Sequence, residues 1–513
     1  MTRLVTNPTA PFKIVIAGGG SAGWMAAAAL SKAYTKADIT LVESEAIGTV
    51  GVGEATIPPI RLFNQFLGID EHTFVRETKA TYKLGIRFNH WGQQGDSYIH
   101  AFGDFGQSLG LLPFYQYWLR AHLSGEGSSL WDYGLNSVAA DQNRAGDLPG
   151  VKGTRLGGLG KAYHFDAGLY AAFLRRLSER QGVTRVEGEI GGVETNGEQG
   201  AIKALKLKDG RVLSGDFFVD CTGFRGLLIG ETLGIAYQDW SHWLPCDRAV
   251  ALPCERTEPL LPYTQATAHS AGWQWRIPLH HRTGNGHVYC SAHVEPEAAL
   301  ETLMRHLDGA PLGTPKHLRF QTGCRTAFWA KNCVALGLAA GFMEPLESTS
   351  LHLIQSGVMR LITLLPGQRA ARDLTALAKV FNQQTAVEYE RIRDFLILHY
   401  KANQRDDTPF WRDCREMAVP QSLADKIDAF KRNASLFREQ DELFQEVGWL
   451  QVLLGQNIVP DSYNPLADEL SDAQLTDFLR SLKTVVAREV ARLPSHDRYV
   501  RQVAGAMPET LAI

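Results

Sequence analysis

A mixed α/β fold, opening on a strand–helix–strand unit and closing on helices, is what this sequence predicts. Three observations predict it. Ile14–Ala17 (IVIA) is a short apolar run leading into GGGSAG and then into the strong helix former WMAAAALSKA. Strand-like returns recur at Phe217–Val219 and at Cys333–Gly341, each running into glycines. Beyond about residue 366 the apolar residues recur at helical spacing, as in DKIDAFKRNASLFREQDELFQEV.

The bulk composition narrows the function classes. The chain has 513 residues, 44% hydrophobic and 21% charged, as ordinary globular proteins do. A formal net charge of −3 leaves no basic footprint, which argues against nucleic acid as a partner. Seven scattered cysteines show no CxxC and no ligand-like cluster, so free thiols in a reducing compartment and no metal are expected. MTRLVTNPTAPFK lacks a signal-type apolar run, and no stretch reaches the roughly 18–20 apolar residues of a membrane span. A cytoplasmic protein with no membrane partner is expected.

In GGGSAG, Gly18, Gly20 and Gly23 fit G-x-G-x-x-G around Ser21 and Ala22. A second apolar strand, Ile39–Val42, ends at Glu43, twenty residues past Gly23. In that order the glycines admit a pyrophosphate, the helix N-terminus stabilises its charge, and the acid takes a ribose hydroxyl. The returns at 217–226 (with DCTGFRG) and 333–341 (CVALGLAAG) bring the chain back toward the cofactor. Together the three resemble the two-part FAD-binding fold of flavin monooxygenases, so FAD is expected. Leu338 stands where many of those enzymes carry an aspartate in the last return.

In GWQWRIPL, alternation puts Trp273 and Trp275 on one face of an extended segment, and Pro278 bars a helix. Core packing alone would account for that pattern. In MEPLESTSLHLIQSGVMRLITLL, Leu351, Ile354, Val358, Leu361 and Leu365 mark a buried helix from about Ser350. Ser348 and Thr349 stand at N-cap positions, and the free amides of Thr349 and Ser350 are placed to hold a small anion. Glu347, just before them, suits either the helix dipole or proton chemistry beside a flavin. In ETKATYKLGIRFNHWG, Lys79 and Lys83 are four apart and on a helix would share a face. Lysines are usually solvated; one held among Phe74, Tyr82, Phe88, His90 and Trp91 would have its ammonium form disfavoured.

These motifs together resemble the flavin-dependent halogenases of the tryptophan-halogenase branch. GWQWRIPL matches the family's WxWxIP signature at Trp273, Trp275, Ile277 and Pro278. GGGSAG matches its FAD loop, and GVGEATIP its flavin strap, with Gly53, Glu54 and Ala55 against the cofactor. EPLESTS matches the loop of its catalytic glutamate, and Lys79 is taken as its essential lysine. HAFG near His100, FVDCTGFRG and Tyr389–Trp411 extend the likeness to about residue 465. The resemblance implies that a separate reductase supplies reduced FAD, which forms a hydroperoxide with oxygen. Chloride or bromide held by Thr349 and Ser350 attacks it to give hypohalous acid. That oxidant travels to Lys79, which hydrogen-bonds it or becomes a haloamine, while Glu347 polarises the reagent or accepts the arene proton. Trp273, Trp275, Pro278 and Ser348 border the passage and keep substrate off the flavin.

The chain departs from the family at two places. Ser350 stands where well-known members have glycine. FQEVGWLQVLLGQNIVPDSYNP carries Trp449 but no tyrosine pair, so the amino-acid clamp is not carried over. His100 and Phe102 match residues that sandwich an indole. Free tryptophan, indole and larger indole compounds all stay open as substrates; a flavin-dependent aromatic hydroxylase and a non-catalytic flavoprotein are the alternatives. A homodimer is expected from the family alone. The expected organisation is an FAD-binding module over 1–365, with substrate-side segments inserted at about 80–150 and 235–325, and a helical region over 366–513. His164–Gly182 reads as a helix, and residues 120–155 read as a long mobile loop region.

Overall fold

The computed structural model describes residues 11–46, 53–126, 128–153, 156–197, 200–365, 373–439 and 442–505. Gly51 and Val52 of the GVGEATIP loop, and residues 366–372, where the helical region is expected to begin, lie outside the described residues.

Lys13–Ala17 lies mid-sheet, pairing in parallel with Asp38–Glu43 on one side and Phe217–Asp220 on the other. Cys333–Ala335 and Thr184–Glu187 extend that sheet outward, and Trp329–Ala330 closes one edge antiparallel. Ile14, Val15, Ile16 and Ala17 are all buried, as expected of a parallel strand covered on both faces. The helix Ser21–Ala33 follows directly and packs its alanine-rich length into the core. Gly18 makes the turn between them at φ 105°, where a Cβ would stand 2.3 Å from the Cys221 carbonyl oxygen. Only glycine fits there.

A second, seven-stranded sheet carries the GWQWRIPL segment as the strand Gly272–Pro278, between Thr264–His269 and Thr283–Tyr289. Trp273 and Trp275 share a face as alternation requires, their rings 6.3 Å apart and edge to face. The Trp275 ring lies across the next strand at Gly286, where a Cβ would stand 2.0 Å from it. A third sheet has three short strands, with Ala162–Asp166 in the middle. Gly53–Ala55 pairs on one side of it and Thr81–Lys83 on the other. One strand thus positions both the expected strap and a lysine.

Two expectations need correction. The segment from His164 is not helical at its start: it is strand through Asp166, and the helix is Ala167–Arg180. Asp166 caps that helix, its carboxylate accepting from the Gly168 and Leu169 amides, so the chain must be extended up to that point. Residues 120–155 are not one mobile loop. They hold a helix at Leu135–Asp141 and short turns at Leu130–Tyr133 and Pro149–Val151. Leu135, Ala139 and Ala140 pack with Val486 and Val490 from the helix Asp472–Ala491. Sparse apolar residues in that segment still build a core because a later helix covers them.

The chain's last part is helical, led by the 27-residue helix Thr375–Lys401 and followed by Pro409–Glu416, Gln421–Asn433 and Glu446–Gly455. Among the described residues no helix is long and apolar enough to cross a membrane. All seven cysteines are free and buried.

Replacing Gly286 with alanine forces a methyl into the Trp275 ring and should destabilise the protein by about 1–3 kcal/mol, read by denaturant unfolding. An unchanged midpoint would show that the indole does not lie on that strand.

Candidate active site

The glycine loop opens onto a cavity of about 640 Å³. Gly18 to Ala22, Glu43, Gly53 to Ala55, Cys221 to Phe224, and Leu338 line it, so strap and returns converge as the sequence predicts. The residues fit FAD. A Cβ on Gly20 would meet nothing within 4 Å, and Gly20, at the N-cap, makes no side-chain bond to the first helical amides. That is open space at a helix N-terminus, as a pyrophosphate requires. Glu43 stands at the sheet end over the loop, accepting from Trp24 Nε1 at 3.2 Å and Arg185 Nε at 2.5 Å. Burial pushes the Glu54 carboxyl up to about 7. Trp273, Trp275, Ser348, Thr349 and Ser350 form another part of the wall.

Lys79 is not at this site. The helix Glu71–Thr78 ends there, with Lys79 in the left-handed conformation at φ 51° and its side chain exposed. The next three residues but one are strand, so Lys79 and Lys83 do not share a helix face. Lys83 is the buried lysine, with no exposed surface. Its Nζ donates to Ser348 Oγ at 2.7 Å and lies 5.5 Å from the centre of the Phe102 ring. Burial pulls its pKa down to about 7, with Glu347 pulling the other way.

Ser348 also departs from expectation. It is not an N-cap: at φ 59° it ends the short turn Pro345–Glu347, and its hydroxyl accepts from Lys83. The helix Ser350–Leu364 has Thr349 at its N-cap position, without a side-chain cap bond. Ser348 therefore touches both compartments, lining the cavity and holding the lysine.

Glu347 is 1% exposed, so its charge needs partners. His100 Nδ1 lies 3.0 Å from both carboxylate oxygens, and His399 Nε2 lies 2.8 Å from Oε1, a close contact off the hydrogen-bonding line. Burial pushes the Glu347 carboxyl upward, but His100 and His399 outweigh it and hold it at about 2. Burial in turn pulls the His399 imidazole down. His399 stacks on Phe88 with ring centres 4.6 Å apart. Pro278 joins the two halves, its carbonyl accepting from the Thr81 hydroxyl at 2.6 Å. Ser348 and Phe102 thus meet Lys83, with Glu347 near enough to act on its charge and His100 held against that carboxylate, while Trp273 and Trp275 stand on the cavity side.

A lysine sealed beside a carboxylate, one residue away from a flavin-sized cavity, can take an oxidant made in that cavity and hold it out of water. The profile of the tryptophan halogenase family matches residues 13–472. The chain belongs to the tryptophan halogenase family. It is a flavin-dependent halogenase, an enzyme using FAD and halide, and direct hydroxylation is not favoured. Its fold matches Xcc4156, a flavin-dependent halogenase from Xanthomonas campestris, with TM-score 0.93 and 48% identity, covering 96% of this chain and 98% of that one. BrvH, a flavin-dependent halogenase from Brevundimonas sp. BAL3, matches with TM-score 0.92 and 44% identity over 96% of this chain and 99% of that one. The tryptophan 7-halogenase RebH of Lentzea aerocolonigenes is 34% identical over 96% of this chain and 99% of its own.

The sequence reading missed His399 and the use of Lys83. A histidine inside the apolar run FLILHY was one signal. For Lys83 the signal was Thr81 and Lys83 at strand spacing.

Brief exposure of the native protein to an amine-acylating reagent, followed by peptide mass spectrometry, should label Lys79 readily and leave Lys83 unmodified until the protein unfolds. Equal labelling of the two would contradict the burial of Lys83.

Proposed function

We propose that this halogenase transfers halogen to an indole-type arene through Lys83, with Glu347 steering the transfer. The observation that carries this is the Lys83 amine, buried and bonded to a serine that also lines the cofactor cavity. Gly18, Gly20, Ser21, Ala22, Glu43 and the strap residues Gly53 to Ala55 would hold FAD, while Gly23 lies off the cavity and lets the helix pack against the Gly18 carbonyl. Reduced flavin bound there, supplied in trans by a reductase, would provide the chemistry that turns molecular oxygen into an oxidant for halide. The amides of Thr349 and Ser350, at the head of a 15-residue helix on the cavity wall, would hold that halide.

Lys83 then takes the halogen. With its pKa near 7, much of the amine is uncharged at neutral pH and has a free electron pair. Amine and hypohalous acid give haloamine and water; the arene carbon takes the halogen and returns the amine. Glu347, held ionised by two imidazoles, is a weak base and acts chiefly by stabilising the arene's developing positive charge. The ring cation formed is acidic enough that even this carboxylate accepts its proton, and Glu347 passes that proton on to the nitrogen that gave up the halogen, which restores the neutral amine. A flat ring would lie against His100 and Phe102.

The substrate class follows from the C-terminal region. Trp449 is buried, with Phe395 edge-on at 5.0 Å and Lys426 Nζ 4.2 Å over its ring, and Lys426 is itself paired with buried Glu442 at 2.5 Å. Internal packing thus occupies this tryptophan, with no tyrosine pair near it to grip an amino acid. That supports indole or a substituted indole over free tryptophan. RebH, whose name gives tryptophan as substrate, is a relative only at the level of the family.

With reduced FAD, oxygen and bromide, indole should yield a product showing the bromine isotope pair by mass spectrometry. Lys83→Ala should lose product by roughly 10²–10³-fold, the scale of removing one preorganised group, while Lys79→Ala keeps it. The opposite ranking would return the role to Lys79. Burial lowers the Lys83 pKa, so the neutral amine gains as pH rises, and halogen transfer should climb through about pH 7. A rate falling over that range would exclude the amine as the carrier.

A further inference from the structure

We propose that Glu344 is a positioning residue that holds the barrier indole of Trp273 against the catalytic loop, and so decides how much oxidant reaches Lys83 instead of escaping. The inference rests on the halogenase reading and adds to it a residue that touches neither cofactor nor lysine.

Glu344 is 1% exposed and sits between Met343 and Pro345, both on the cavity wall. Its Oε2 accepts from Trp273 Nε1 at 2.8 Å and from the Tyr400 hydroxyl at 2.5 Å. Its Oε1 is buried with no hydrogen-bond partner. Leaving a carboxyl oxygen unpaired in the interior is unfavourable, and a neutral acceptor would satisfy an indole more cheaply. The chain uses that neutral solution elsewhere. Trp91, Trp118, Trp131, Trp243, Trp329 and Trp411 all donate to backbone carbonyls. Among the described residues, the indoles that donate to carboxylates are Trp24, to Glu43, and Trp273, to Glu344. Glu43 lines the cofactor cavity, and so does Trp273.

Three residues after Glu344 comes Glu347, and the next is Ser348, which holds Lys83. The carboxyl therefore ties the wall strand Gly272–Pro278 to the start of the loop that carries the catalytic groups. Tyr400 adds the helix Thr375–Lys401, which also carries His399. One side chain links wall, loop and helix.

Among the described residues no cation compensates it. Trp273 faces it from the strand and Tyr400 from the helix, while the thiols of Cys246, Cys290 and Cys414 feel its charge. Burial pushes all three thiols up, so they stay neutral, and it pushes the Glu344 carboxyl up to about 7 against its two donors. Above that pH the ionised carboxylate grips the indole harder, since a charged acceptor strengthens the hydrogen bond.

The test compares wild type, Glu344→Gln and Glu344→Ala with reduced FAD, bromide and indole, and a diffusible 1,3-diketone that traps free hypohalous acid. The readout is the ratio of bromoindole to trapped halogen. Glu344→Ala should lower that ratio by roughly 10- to 100-fold, the scale of displacing a wall by an ångström. Glu344→Gln, which keeps an oxygen for both donors, should hold it within a few-fold of wild type. In parallel, the Trp273 indole N–H resonance, assigned with Trp273→Phe, should shift downfield through about pH 7 in wild type and stay fixed in Glu344→Gln. An unchanged ratio in Glu344→Ala, or the same titration in Glu344→Gln, would overturn the inference. Should Glu344→Ala not fold, the resonance decides. Wild type giving neither bromoindole nor trapped halogen would instead remove the halogenase reading beneath it.

Discussion

Everything in this molecule turns on keeping one amine out of water next to one carboxylate. Lys83 has no exposed surface and Glu347 almost none, so each would be prohibitive alone. The protein makes the pair tolerable in two ways. It lets the lysine approach neutrality, giving its Nζ the Ser348 hydroxyl as acceptor. It keeps the glutamate ionised by setting His100 and His399 against it. The same arrangement yields a nucleophilic amine and a fixed negative charge within one dry space.

That constraint explains the architecture around it. The lysine sits on a short strand because a strand end, paired with Ala162–Asp166, can be sealed on every side. That same central strand pairs with the segment Gly53–Ala55, so this segment and the lysine are held in one register. The loop 343–350 serves as a party wall: its backbone and Ser348 face the cavity, while the same serine grips the amine. The two indoles of the Gly272–Pro278 strand stand on the cavity side of that wall. In the proposed function, separation of oxidant production from its use would rest on these three elements meeting, and no one motif contains it.

How much of this was legible in the chain depended on the range of the interaction. The glycine spacing, the acid twenty residues later and the apolar returns are local patterns with a backbone cause, and the parallel sheet followed them. Alternation placed Trp273 and Trp275 on one face correctly. Lys79 misled because its helix ends on a lysine in the left-handed conformation, with no glycine to announce the stop. A helix continued through that point puts both lysines on one face and does not tell them apart. His399 and Glu344 escaped because their partners lie far along the chain, 52 and 71 residues away at Glu347 and Trp273. The helix within 120–155 was hidden because its cover is supplied by Val486 and Val490.

The central claim is that the halogen is stored on the Lys83 amine in a compartment closed to solvent. The direct measurement charges the enzyme once with reduced FAD, oxygen and bromide, strips small molecules by rapid gel filtration, and then adds indole. The account predicts bromoindole approaching one equivalent per chain from wild type and none from Lys83→Ala. Equal yields from the two proteins, or all oxidising equivalents left in the small-molecule fraction, would contradict it.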